Sequence, residues 1–272
     1  MEAGTVDFKA VKDKQRAGWE TGDYPRVGNT LQIMAERLVG AAEVHAGENV
    51  LDVACGQGNV ALSAARRFAT ATGVDYAANL LAQGRERAEA EHLPVTFIEG
   101  DAEELPCEDH EFDASLSTVG VMFAPDQFRA ASELVRVTRP NGRIALASWT
   151  PESLVGAMFK VIGKYAPPPP AGVVSPMLWG TEARLAELFG DKVEWTVLKR
   201  RTFEFCYHSP EHFSEWFTQY YGPITRLAGT LDETPRAQFA ADLTEVAARY
   251  NKATDGTLYA PGEYLEAVGI RH

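Results

Sequence analysis

At 272 residues the chain lies near the upper limit for one domain, so a single α/β core carrying additions is the natural expectation. Its 26 Lys and Arg against 38 Asp and Glu leave a net charge of -12, which disfavours a nucleic-acid partner, because that affinity rests on a basic surface. No apolar run is long enough to span a membrane, and the N-terminus lacks the apolar core of a secretion signal. Three widely spaced cysteines, Cys55, Cys107 and Cys206, suit a reducing cytoplasm and offer no compact metal site.

From Asn29 to Val44 the apolar residues Leu31, Met34, Leu38 and Ala41 recur at helical spacing. "NVLDVA" then reads as a buried strand and "NVALSAARRF" as the helix after it. "ATGVD" is a second strand, followed by a helical stretch through Glu91. "VTFIEGDA" is a third and "FDASLSTVG" a fourth. "FRAASELVRVT" predicts a helix ended by a turn at Pro140-Asn141-Gly142, and "RIALASW" a fifth strand. Strands alternating with helices imply a parallel sheet covered on both faces.

The second half changes character. A helix is expected from Leu154 to Lys164, then a rigid spacer at Pro167 to Pro170, then a helix from Thr181 to Phe189. "VEWTVLKRRTFEFCY" alternates as a strand does. Ser209-Pro210 has the form of an N-cap with proline at the first helical position, and Thr234-Pro235 opens another helix ending near Asn251. "TLYAPGEYLEAVGIR" closes the chain as a last strand. The sixth and seventh strands are expected to form an antiparallel pair at one edge of the sheet.

The chemistry centres on Gly56-Gln57-Gly58-Asn59-Val60-Ala61. It fits the dinucleotide pattern G-x-G-x-x-G/A, and Asp75 lies 17 residues after Gly58, so a nicotinamide dehydrogenase is one reading. Asp52, at the end of the first strand, points elsewhere. A pyrophosphate is held by backbone N–H groups at a helix N-terminus, and a carboxylate in that pocket would repel it. Asp52 suits a ligand that is positively charged at that end, such as an amino group or a sulfonium. Asp75, at the tip of the second strand, is placed to accept from ribose hydroxyls, and Asp101, at the tip of the third, from the exocyclic amine of adenine.

"VLDVACGQGNVAL", "GVDYAANLLAQGRERA", "IEGDAEELP", "FDASLSTVGVMFAPD" and "LVRVTRPNGRIALASW" resemble the successive motifs of class I S-adenosylmethionine-dependent methyltransferases. They are most similar to the small-molecule branch that includes ubiquinone and menaquinone C-methyltransferases. The resemblance covers about residues 45 to 150. It departs at Ala54, where the family usually has a glycine, and at the N-terminal "GWETGDYPRVGN". It implies a Rossmann-like, doubly wound, seven-stranded, mostly parallel sheet with an antiparallel last strand and helical lid insertions. The cofactor it implies is S-adenosylmethionine, released as S-adenosylhomocysteine. Carried over by motif, Asp52 and the backbone of Ala54, Gly56, Gln57 and Gly58 would hold the methionine part. Asp75 would bind the ribose, Tyr76 would lie against the adenine, and Asp101 with the Ala102 N–H would read the adenine edge. The Ser117 carbonyl would meet the amino group, with Trp19, Val119 and Phe123 nearby.

Substrate contacts are expected from the additions to the core, residues 1–28, 151–180 and 209–255 of a single 1–272 domain. Tyr24, Trp149, Phe159, Trp179, Trp216 and Tyr220 are the candidates, and their aromatic character suggests a hydrophobic or aromatic small molecule. No catalytic base is evident; His208, His212 and Tyr220 are the candidates nearest the expected cover. The reading is thus a cytoplasmic methyltransferase, monomer or homodimer, acting on a small-molecule substrate without metal, nucleic acid or membrane. A non-methylating member of the fold and the dehydrogenase are the alternatives.

Overall fold

The computed structural model describes residues 7–272. Seven strands form one sheet: β1 (Asn49–Val53), β2 (Thr70–Asp75), β3 (Val95–Glu99), β4 (Phe112–Thr118), β5 (Thr138–Trp149), β6 (Val193–Tyr207) and β7 (Leu258–Arg271). Their spatial order is β3-β2-β1-β4-β5-β7-β6. β1 to β5 are parallel, and β7 runs antiparallel to both β5 and β6. Six strands therefore point one way and β7 alone is reversed. The expected edge pair is present, with β6 at the edge and β7 slotted between it and β5. Strand order reverses between β1 and β4, which opens a crevice at their carboxyl ends.

The helices are α1 (Phe8–Trp19), α2 (Tyr24–Gly28), α3 (Gln32–Ala41), α4 (Asn59–Ala65), α5 (Ala78–Ala90), α6 (Gln127–Val137), α7 (Leu154–Tyr165), α8 (Glu182–Phe189), α9 (Pro210–Tyr220), α10 (Gly222–Thr230) and α11 (Glu233–Tyr250). Several begin where side chains cap them: Asp126 accepts from Arg129 N, Ser153 from Gly156 N, and Ser209 from His212 N at 3.2 Å. No helix among the described residues is long and apolar enough to cross a membrane.

Three local expectations change. The Pro140-Asn141-Gly142 turn is an irregularity within β5; Asn141 takes φ of 60° there, and the register against β4 shifts between Phe112 and Ala114. α11 starts at Glu233 after Asp232, one residue before the expected cap at Thr234. The N-terminal region also holds two unforeseen helices. α1 buries little beyond Gly18, so its sequence carries only a thin apolar stripe. Ion pairs hold its length, Lys12 with Glu103 at 2.8 Å and Arg16 with Glu99 at 2.8 Å, and Trp19 packs its end against Tyr24, Phe123 and Tyr221.

The end of α1 is joined to the α9–α10 corner by main chain. Asp23 N donates to Tyr220 O at 3.1 Å. A Cβ on Gly222 would lie 2.0 Å from Gly18 O and 2.4 Å from Thr21 O, a contact only glycine permits. Gly222→Ala should therefore destabilise the fold by about 1–3 kcal/mol through overpacking. Gly163 in α7 has nothing within 4 Å of an added Cβ, so Gly163→Ala should stabilise by about 0.5–1 kcal/mol. Urea denaturation of the two variants, with opposite shifts of midpoint, checks the assignment.

Candidate functional site

β1 ends in a turn with three left-handed residues, Ala54 (φ 52°), Gly56 (φ 54°) and Gly58 (φ 83°). Glycine takes this conformation freely and alanine at a cost, so the turn needs external ties. Two carboxylates supply them. Asp75 accepts from Gly56 N at 2.8 Å and from Ala77 N at 2.8 Å. Asp52, 2% exposed, accepts from Ala61 N in the first turn of α4 at 3.0 Å. Gly58 begins α4 and packs its bare Cα against Phe97.

Burial pushes the Asp52 carboxyl up to about 8, helped by the neighbouring charge of Asp75 and opposed by the N–H groups of Ala61 and Val60. Burial likewise raises Asp75, against the pull of its backbone donors. Neither carboxylate has a side-chain cation hydrogen-bonded to it. A cation entering the pocket would favour the ionised form of both groups and a pyrophosphate would oppose it, so the pocket suits a cation better than an anion.

Facing the turn, the chain after β4 is clamped tightly. Ser117 Oγ donates to Val53 O at 2.7 Å and accepts from Val121 N at 2.9 Å, and Val119 N donates to Ala147 O at 2.8 Å. These ties hold Val119 at φ 46°, a strained conformation for a β-branched residue. Gln57 Nε2 donates to Asn29 Oδ1 at 3.0 Å, while its Oε1 is buried with no partner. An orphaned buried acceptor at a cavity wall marks a place for a ligand donor. On the third strand tip, Asp101 Oδ1 accepts from Glu103 N at 2.9 Å, and its Oδ2 is taken by Lys12 of α1, which also pairs with Glu103.

Two adjoining cavities result. A cleft of about 880 Å³ lies at the carboxyl ends of β1 to β4, and Trp19, Asp52, Ala54, Gly56, Gln57, Asp75, Tyr76, Asp101, Ala102, Val119 and Phe123 all line it. Of the residues expected at the cofactor, Gly58 and Ser117 do not; they shape the backbone behind it. A chamber of about 390 Å³ adjoins the cleft, walled by Trp19, Tyr24, Val27, Leu31, Val119, Phe123, Trp149, Val155, Met158, Phe205, Phe217 and Tyr221. No side chain among them carries a formal charge.

Only Tyr24 and Trp149 of the expected substrate residues reach this chamber. Phe159 stands behind Phe123 at 5.8 Å. Trp179 is fully buried against Phe189 and is a packing residue. Trp216 packs among Tyr207, His212 and Tyr220, and Tyr220 lies beneath Arg26. His208 and His212 sit 4.8 Å apart beside them and line neither cavity, so none of the three catalytic candidates is at the site. Nor do residues 165–180 line either cavity; of 151–180 only Val155 and Met158 do. Lys12, Leu31 and Phe205 are lining residues that the sequence did not single out. Alternation within "RTFEFCY" was the available signal for Phe205; nothing local marked Lys12.

Comparisons with known proteins agree with the fold. The model of a methyltransferase-domain family matches residues 51–146. An uncharacterised protein of Mycobacterium tuberculosis (strain ATCC 25618 / H37Rv) is 36% identical over 270 residues, 96% of this chain and 97% of that protein. The 2-phytyl-1,4-naphtoquinone methyltransferase of Trichormus variabilis is 37% identical over 148 residues, 52% of this chain and 64% of that enzyme. Among solved structures, the YcgJ protein of Bacillus subtilis superposes with a TM-score of 0.60 at 19% identity, covering 90% of this chain and 99% of that one. Residues 51–146 thus form a methyltransferase domain, on the Rossmann-like fold that its solved neighbours share.

The raised carboxyl sets a pH dependence. Between its ordinary value of 3.8 and about 8, Asp52 keeps its proton in the folded protein and loses it in the unfolded chain. That contribution to stability is complete below about pH 4, falls as pH rises, and is gone above about pH 8. Urea midpoints of the ligand-free protein should fall across this window relative to Asp52→Asn, whose amide still accepts from Ala61 N. Parallel pH curves for the two proteins would show that Asp52 is not so perturbed.

Proposed function

We infer that this protein transfers a methyl group from S-adenosylmethionine to a small, uncharged, apolar or aromatic acceptor. The observation that carries the reading is the junction of a polar cleft lined by carboxyl groups with an apolar chamber devoid of charge. The cleft residues fit the cofactor: the buried Asp52, the half-buried Asp75 and the orphaned Gln57 Oε1 are acceptors without hydrogen-bonded cationic side chains, suited to its ammonium and sulfonium. Asp75 retains lone pairs for the ribose hydroxyls beside its two backbone bonds. Asp101 and the Ala102 N–H lie where the adenine edge would be read, and there the adenine amine competes with Lys12 for Asp101.

The bound cofactor supplies an activated methyl, so the chain has to orient the acceptor and exclude water. The chamber does both with aromatic walls. Its only titratable side chains are Tyr24 and Tyr221, whose phenols burial pushes far above their ordinary range. Neither takes a proton at neutral pH, which favours an acceptor atom that reacts without a protein base. With no cation on its walls, the chamber also disfavours a carboxylate or phosphate acceptor. The Trichormus relative, by its name, acts on a phytyl naphthoquinone, an acceptor of this uncharged type.

Incubating the protein with a metabolite extract and methyl-labelled S-adenosylmethionine, read by mass spectrometry, should yield a labelled product from an uncharged, apolar precursor. Donor binding with no labelled product would favour a non-methylating member of the fold. Asp75→Ala should weaken donor binding by about 1.5–3 kcal/mol in calorimetry, since an acceptor for two hydroxyls is lost; unchanged affinity would remove Asp75 from the cofactor site.

A further inference from the structure

The chamber is apolar, yet its walls carry hydrogen-bonding groups of one kind. Trp19, Tyr24, Trp149 and Tyr221 bring indole N–H and phenol O–H groups to it, and the other lining side chains are aliphatic, phenylalanine or methionine. Every strong side-chain hydrogen-bonding group on these walls is therefore one that can donate. Among the described residues no carboxylate, amide or imidazole lines the chamber to accept from a ligand. Trp19 and Tyr24 also line the cleft, whereas Trp149 and Tyr221 belong to the chamber alone.

Tyr221 is firmly placed. Its N–H donates to Phe217 O at 3.0 Å, and its carbonyl accepts from Ile224 N and Thr225 N, both at 2.9 Å, which fixes the main chain at the corner between α9 and α10. The next residue, Gly222, is seated against the carbonyls of Gly18 and Thr21. The side chain is 6% exposed, with Trp19 at 5.5 Å and Phe217 at 5.7 Å holding the ring. Its hydroxyl has no hydrogen-bond partner among the described residues, and burial keeps it protonated and so a donor. A buried donor left without a partner costs free energy, and the chamber walls supply no carboxylate or amide to satisfy it.

Resting on the reading of the chamber as the methyl-acceptor site, we propose that Tyr221 is a specificity-determining residue whose O–H donates to a neutral oxygen, a carbonyl or an ether, carried by the acceptor. The acceptor is then an uncharged molecule, apolar over most of its surface, with at least one oxygen of this kind. A hydrocarbon of the same shape strands the phenol away from water and is selected against. The bond also orients, because it has one direction while the apolar walls have none, and so it sets which part of the acceptor faces the cleft.

A matched pair of probes tests this: acetophenone, a neutral aromatic ketone, and ethylbenzene, the same skeleton with a methylene in place of the carbonyl. Calorimetry measures the binding of each to protein saturated with S-adenosylhomocysteine, which fills the cleft and leaves the chamber open. Tyr221→Phe, which keeps the ring and removes the hydroxyl, should weaken acetophenone about 3- to 10-fold and leave ethylbenzene within about twofold of wild type. Isotope-edited infrared spectra should place the bound ketone's C=O stretch lower in the wild-type protein than in the variant, a shift that a packing role would not produce. If the variant does not fold, the wild-type stretch is read against that of the ketone in hexane and should lie below it. An unshifted stretch, or an equal effect of the substitution on both probes, overturns the role of the hydroxyl and leaves the apolar acceptor chamber standing. Failure of the wild-type protein to bind either probe overturns both.

Discussion

The site depends on two carboxylates, the buried Asp52 and the half-buried Asp75, tied to the backbone of one turn. Asp75 holds Gly56 and Asp52 holds the start of α4, and between them they fix a segment in which Ala54, Gly56 and Gly58 all have positive φ. A neutral side chain could make one of those bonds, but it would not set the sign of the pocket. Because the ties come from N–H groups, neither carboxyl group is hydrogen-bonded to a side-chain cation. Local architecture and ligand preference thus arise from the same two groups, and burial stores the tension between them as raised proton affinity.

The rest of the structure brings an acceptor to that turn. β5, β6 and β7 extend the sheet past the cleft and supply Trp149 and Phe205 to the chamber wall. α9 and the corner after it add Phe217 and Tyr221, and α7 adds Val155 and Met158. The N-terminal helices complete the enclosure, and their cohesion differs from that of the core. α1 is held at one end by ion pairs to the tips of β3 and its following loop, and at the other by glycine-to-backbone contact with α10. The Arg16–Glu99 pair is exposed and of a weak kind, whereas Lys12 pairs with the buried Glu103, so the cover is tied down by a few specific contacts where the core is held by broad apolar packing.

The alternating core was legible because its signals are local. A buried apolar run, a glycine turn and a capped helix are read from adjacent residues, and Asp52, Asp75 and Asp101 each fall at a strand tip for the same reason. The cover was not legible to the same degree. α1 is polar, and its partner Asp101 is 89 positions away in sequence. In α9 the aromatic richness was evident, yet the face was not: Phe213 and Phe217, one turn apart, are buried, which carries Trp216 and Tyr220 to the flank. The same limit applies to His208 and His212, which pair with each other at the head of that helix. Trp179 was an aromatic of the right kind in the right stretch, and only tertiary packing against Phe189 decides that it is core.

The central claim is that the turn is built by carboxyl groups of raised proton affinity, and that Asp52 gives up its proton when a cation arrives. Isothermal calorimetry of S-adenosylmethionine binding at about pH 7, repeated in buffers of different ionisation enthalpy, measures the protons exchanged. A cation beside Asp52 lowers a carboxyl that stands at about 8 without it, so binding should release protons, and Asp52→Asn should abolish most of that release. Proton uptake, or binding with no exchange in the wild-type protein, would contradict the account.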